Sequence, residues 1–203
     1  MRFAITRSIF NEKGAATGMK KGLFLYKSKY GATKRYAEMF KELCGEEASL
    51  EEKVTCDILE LKDMNEADFN ACDWIVFAGG IYAGGVAGLH ILKKKYPGIK
   101  DKKLAVFCVG ASPYDENAFT QLKQRSLQGE LAHIPVYYGR GAWDESRMTW
   151  KDRMLCGMLK KAVAKKDAAS LEPWMKALLS VEGQKCDWTD PKYLGPLMEY
   201  IRG

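Results

Sequence analysis

Gly22-Leu23-Phe24-Leu25-Tyr26-Lys27-Ser28-Lys29-Tyr30-Gly31-Ala32-Thr33 decides the fold. The run from Gly22 to Tyr26 is β-prone and apolar at successive positions, as in a central parallel strand covered by helices on both faces. Ser28 to Thr33 is a hydroxyl–glycine–hydroxyl loop that opens a helix over Thr33 to Cys44, with Tyr36, Met39, Phe40 and Leu43 on one stripe. Such a loop at a strand-to-helix turn offers backbone N–H groups and the positive helix end to a phosphate. Ser28 and Thr33 add hydroxyl donors, and Gly31 permits close approach. The same residues also suit a plain turn with Ser28 or Thr33 as N-cap. Neither a Walker ending nor a G-x-G-x-x-G turn is present.

Further β-prone runs lie at Val54 to Leu59, Trp74 to Ala78, Leu104 to Val109 and Ile134 to Tyr138. Helix-length segments fall between them at Val86 to Tyr96 and Glu116 to Leu127, with a weaker one at Asp63 to Phe69. Alternation of this kind predicts an α/β protein with a doubly wound, five-stranded parallel sheet. The closing helix is delayed to Asp190 to Ile201, which places a helical insertion at about residues 140–188. Inside it, Arg147 to Lys166 predicts a helix with an apolar stripe of Met154, Met158 and Ala162 beside Leu155, Leu159 and Val163. Arg153, Lys160, Lys161, Lys165 and Lys166 supply its charge. Residues 1–18 read as an extension outside a single domain over 19–203.

Two more loops would gather with the first at the carboxyl edge of the sheet, where open α/β sheets bind ligands. They are Gly79-Gly80-Ile81-Tyr82-Ala83-Gly84-Gly85 and Gly110-Ala111-Ser112-Pro113-Tyr114-Asp115. Their glycines let a flat ring approach backbone, and Tyr82 or Tyr114 can stack on it. Tight turns with tyrosines at the rim are the alternative for either loop alone.

The 203 residues are 47% hydrophobic and 29% charged, which excludes a disordered or fibrous chain. The formal charge of +6 favours an anionic partner without naming one. No nucleic-acid-binding motif accompanies that charge, so no nucleic acid is expected. The six cysteines lack a C-x-x-C pair and read as reduced thiols of a cytoplasmic protein. With two histidines, His90 and His133, in structural contexts, no metal spacing is recognisable. Gly110 to Tyr114 begins like a nucleophile elbow, but Tyr114 stands where its closing glycine belongs. No catalytic side chain is assigned.

Over roughly Met19 to Tyr138 and the last helix, the chain resembles the flavodoxin family. Ser28 to Thr33 is similar to its phosphate loop, and Gly110 to Tyr114 to its loop of Gly, Ser and a stacking Tyr. The resemblance implies noncovalent FMN. Its phosphate would lie on Ser28, Lys29, Tyr30, Gly31, Ala32 and Thr33. Its ring would lie between Gly80, Ile81, Tyr82, Ala83 and Gly84 on one side and Gly110, Ala111, Ser112 and Tyr114 on the other.

Three features depart from the acidic electron carriers of that family: the net basic charge, Lys29 and Tyr30 in place of small hydroxyl residues, and the insertion. Met148-Thr149-Trp150-Lys151-Asp152-Arg153-Met154 with its basic apolar helix is similar to the menaquinone-dependent protoporphyrinogen dehydrogenases, although Tyr82 stands where that branch carries an Arg. This branch implies an FMN-dependent oxidoreductase that exchanges electrons with a redox partner, either a quinone, a reductase or an iron–sulfur protein. In that branch the insert is associated with substrate, quinone or membrane, which suits a peripheral contact with the inner face of the membrane; the alternative is a packing helix with a solvated lysine edge. The alternatives are an electron-transfer carrier without a small-molecule substrate and a flavin-free partner-binding domain.

Overall fold

The computed structural model describes residues 20–46, 54–181 and 183–203. The expected extension over 1–18 lies outside the described residues. Five parallel strands stand in the order β2 (Val54–Glu60), β1 (Lys20–Lys27), β3 (Trp74–Tyr82), β5 (Lys103–Gly110), β6 (Val136–Arg140).

The two-residue period of the strands divides their apolar residues between two cores. Phe24 and Tyr26 of β1, Val76 of β3 and Phe107 of β5 pack with α1 (Ala32–Glu46) and α6 (Gly195–Arg202). Leu23, Leu25, Phe77 and Val106 pack with α2 (Leu89–Ile99) and α3 (Glu116–Ser126) on the opposite face. Each strand is therefore apolar on both sides, which makes a doubly wound sheet legible without any alternation of polarity. From β1 the chain crosses one way to β2, and from β3 the other way to β5. The crevice between the carboxyl ends of β1 and β3 is thus the switch point where this topology places ligands.

Several boundaries differ from the sequence expectation. The glycine-rich segment after Ala78 is not a loop. Strand β3 continues to Tyr82 and turns back into β4 (Gly85–Val86), with Ile81 paired to Val86 and Tyr82 to Gly85. Ala83 (φ 48°) and Gly84 (φ 75°) form the two-residue connection, the left-handed pair that suits strand twist. Helix α2 consequently starts at Leu89 instead of Val86. The weak Asp63–Phe69 candidate resolves into two 3-10 segments, Leu61–Glu66 and Phe69–Ala71, and a third, Pro191–Leu194, precedes α6.

The insertion is richer than one helix. Between β6 and α6 it contains β7 (Ala142–Asp144), α4 (Trp150–Ala164), α5 (Pro173–Ser180) and β8 (Lys185–Asp187), with β7 and β8 antiparallel. Val163, Met175 and Leu178 form a small core of its own with Trp143 and Trp174 against it. Of the apolar stripe of α4, Val163 enters that core, whereas Met154 (51% exposed), Leu155 (58%) and Met158 (61%) stay outside it, as does Trp150 (69%).

Candidate functional site

Ser28 to Thr33 joins the carboxyl end of β1 to the first turn of α1. The Gly31 N–H donates to Ser28 Oγ at 3.0 Å, closing the turn. Gly31 has φ 97°, and a Cβ there would meet nothing within 4 Å, so the loop is open above it. The first helical bond runs from the Arg35 N–H to the Gly31 carbonyl at 3.0 Å. The N–H groups of Ala32, Thr33 and Lys34 therefore have no carbonyl one turn behind them. No acidic residue lies in the first turn of α1. This donor set fits a phosphate.

Lys29 and Tyr30 are engaged by the insertion. The Asp152 carboxylate, in the first turn of α4, pairs with the Lys29 ammonium and accepts from the Tyr30 hydroxyl. Lys29 holds the Asp152 carboxyl below the usual carboxylate range, with Tyr30 adding to the effect, and Asp152 in turn raises Lys29.

Seven of the nine expected ring-loop residues surround one cavity of about 590 Å³, within the ~300–1,000 Å³ usual for small-molecule sites. Ile81, Ala83 and Gly84 form one side and Gly110, Ala111, Ser112 and Tyr114 the other. Gly80 and Tyr82 are not among its walls. Gly80 lies against the Tyr82 ring, which a Cβ there would approach to 2.7 Å. The Tyr82 ring packs edge-on to Tyr30 at 6.4 Å, with the Lys29 ammonium 5.8 Å from its centroid. Tyr82 thus faces the phosphate loop, and Tyr114 is the one expected stacking tyrosine that lines the cavity. The phosphate loop does not line it either; Tyr30 and Ala32 border a second cavity of about 280 Å³, and Trp143 lines both.

Much of the rest of the cavity wall comes from residues that sequence patterns did not single out. Tyr138 on β6 donates to the Ser112 carbonyl at 2.5 Å and props the Gly110–Tyr114 loop. Gly110 leaves room for that hydroxyl, since a Cβ would lie 2.8 Å from it. Burial pushes the Tyr138 phenol up, and a hydrogen bond to Glu116 at 2.6 Å pushes Tyr114 up to about 12, so both rings are neutral at pH 7. Trp143, Trp174 and Trp188 come from three parts of the insertion, and Arg125 reaches the same cavity from α3. The Arg140 guanidinium lies 3.9 Å from the Trp188 ring centroid and donates to the Ala111 carbonyl at 3.3 Å, tying insertion to loop.

A model of the flavodoxin domain matches residues 23–170. The chain belongs to the flavodoxin family. Among solved structures, this flavodoxin-family chain is similar to a WrbA-like flavodoxin from Agrobacterium tumefaciens. The identity is 21%, over 66% of this chain and 88% of that one, with a TM-score of 0.39. An archaeal flavodoxin is 12% identical over 80% of this chain and 99% of its own length, with a TM-score of 0.37. Rubredoxin:oxygen oxidoreductase from Desulfovibrio gigas is 10% identical over 80% of this chain, with a TM-score of 0.36, and only 37% of its length is spanned. A search among curated proteins finds no match.

All six cysteines of this flavodoxin-family chain are free thiols, and burial pushes Cys108 up to about 12. Among the described residues, no three acidic, histidine or cysteine side chains are grouped to hold a metal. No described helix is long and apolar enough to cross a membrane.

Proposed function

We propose that this flavodoxin-family chain is an FMN-dependent oxidoreductase acting on a flat, largely apolar substrate of the quinone or porphyrinogen class. The observation that carries this reading is the cavity of about 590 Å³, walled on one side by the ring loops and on the other by the insertion. A bare electron carrier exposes the flavin edge to a partner protein; here additional chain adds a second wall to a half-open cavity beside the ring loops. When bound, FMN supplies the electron or hydride transfer.

The protein residues bind, orient and shield. Ala32 and Thr33 N–H groups with the Ser28 and Thr33 hydroxyls hold the phosphate, helped by the positive end of α1. Tyr114, Tyr138 and Phe119 offer an aromatic wall to a planar ring, and Trp143, Trp174 and Trp188 exclude water from the opposite side. Arg125 gives the cavity a cation for an acidic substituent. An external redox partner, a quinone, a reductase or an iron–sulfur protein, completes the cycle.

The test is a visible spectrum and a flavin-fluorescence titration of the purified chain. Saturable quenching on adding FMN, with a perturbed flavin absorption band, is the expected result. Fluorescence that rises linearly with FMN would refute the reading. Loaded protein is then screened for reduction by quinols and porphyrinogens.

The exposed face of α4 supports a peripheral membrane contact. Trp150, Met154, Leu155 and Met158 share that face with the exposed Lys151, Lys161, Lys165 and Lys166, an apolar strip with cations at both ends. Such a helix lies in the headgroup region of an anionic leaflet, here the cytoplasmic one. Replacing Met154 and Met158 together by Glu is expected to cut co-sedimentation with anionic vesicles at least tenfold while FMN titrates as before. Equal sedimentation of the two forms would sink the membrane contact.

A further inference from the structure

The start of α4 in the insertion is tied to the phosphate loop, and the central group of that tie is a carboxylate. Asp152 accepts from both Lys29 and Tyr30. Its own position is fixed by the N-cap of α4, where the Asp152 N–H donates to Thr149 Oγ1 at 3.3 Å. The Thr149 N–H donates in turn to the Tyr30 hydroxyl oxygen at 3.3 Å, so the loop and the helix start grip each other in both directions. On the far side the Lys29 ammonium lies 5.5 Å from the Tyr30 ring centroid and 5.8 Å from that of Tyr82. The two side chains that depart from the small hydroxyl pattern of a phosphate loop are therefore both committed to one acid of the insertion.

We propose that Asp152 is a specificity-determining residue for the phosphate group of the flavin. The inference rests on the FMN reading and goes beyond it. Its carboxylate occupies the Lys29 and Tyr30 donors that a phosphate on this loop would otherwise draw on, and two anions that share those donors repel each other, an effect that salt screens. Loading of a phosphorylated flavin therefore loosens the start of α4, and a firmly docked α4 weakens phosphate binding by the same factor. A flavin without phosphate meets the aromatic cavity alone and does not sense residue 152. The chain thus couples the state of its phosphate loop to the position of the helix that carries the exposed apolar face.

Fluorescence titrations with FMN and with riboflavin, on the intact chain and its Asp152→Asn and Asp152→Glu variants, test the coupling. Asp152→Asn is expected to bind FMN about tenfold tighter, with riboflavin affinity within twofold of the parent chain. The gain should shrink to less than about threefold in 0.5 M NaCl, where screening is strong. Asp152→Glu, which keeps the charge, should return FMN affinity to within about threefold of the parent. FMN affinity that ignores Asp152→Asn, or a change shared equally by riboflavin, would overturn the inference and leave the FMN reading standing. Failure of every form to bind either flavin would overturn both.

Discussion

Gly31→Asp is expected to weaken FMN binding at least a hundredfold, about 2.7 kcal/mol, while the chain remains folded. Two effects combine at this position. The backbone there has φ 97°, which costs any L side chain about 1–2 kcal/mol, although aspartate tolerates positive φ better than most. The larger effect is electrostatic: the new carboxylate projects into the open space above the loop, where the phosphate has to lie. Gly31→Ala separates the two, because its methyl group meets no atom within 4 Å and carries no charge. Alanine should weaken binding by less than about tenfold, the remainder being the charge contribution. Circular dichroism and thermal unfolding check that both variants fold. Equal FMN affinity in the Ala and Asp forms would show that the phosphate does not rest on this loop.

The features that were legible in the sequence are those set by a local pattern. Leu23 to Tyr26 reads as a buried strand because helices cover both of its faces, and the stripe from Tyr36 to Leu43 reads as the helix that covers one of them. The β3–β4 hairpin was hidden because its glycines serve packing instead of looping. Gly79 lies against the Ala87 carbonyl and Gly80 against the Tyr82 ring, so a segment that looks permissive is constrained. The far wall of the cavity was hidden for another reason. Trp143, Trp174 and Trp188 are separated by intervening helix and meet only after β7 and β8 pair. Asp152 looks like an ordinary acid in a first helical turn, favoured there by the helix dipole. Its partner Tyr30 stands 122 positions away, which no local pattern reports.

Gly79→Ala is expected to destabilise the fold by about 3 kcal/mol, lowering the urea midpoint by roughly 1.5 M for an unfolding slope near 2 kcal/mol/M. A Cβ at this position would lie 2.1 Å from the Ala87 carbonyl oxygen and 3.1 Å from its carbon. The obstacle is backbone, so no rotamer change relieves it. Ala87 is itself held, its N–H donating to the Gly80 carbonyl at 2.9 Å. Gly79 is equally fixed, paired with Lys27 on one side and Cys108 on the other in the middle of the sheet. Relief therefore requires the segment from Val86 to Gly88 to move outward, and the β3–β4 hairpin moves with it. Ala83 and Gly84 sit at the tip of that hairpin and line the cavity, so flavin affinity should fall along with stability. Gly157→Ala is the matching control: this glycine lies within α4, and a Cβ there meets nothing within 4 Å. Removing it should leave the midpoint unchanged or raise it by the ~0.5–1 kcal/mol that alanine gains over glycine in a helix. An unchanged midpoint in Gly79→Ala would mean that the Val86–Gly88 segment yields freely. Contact with Gly79 would then not be what holds Ala83 and Gly84 against the cavity.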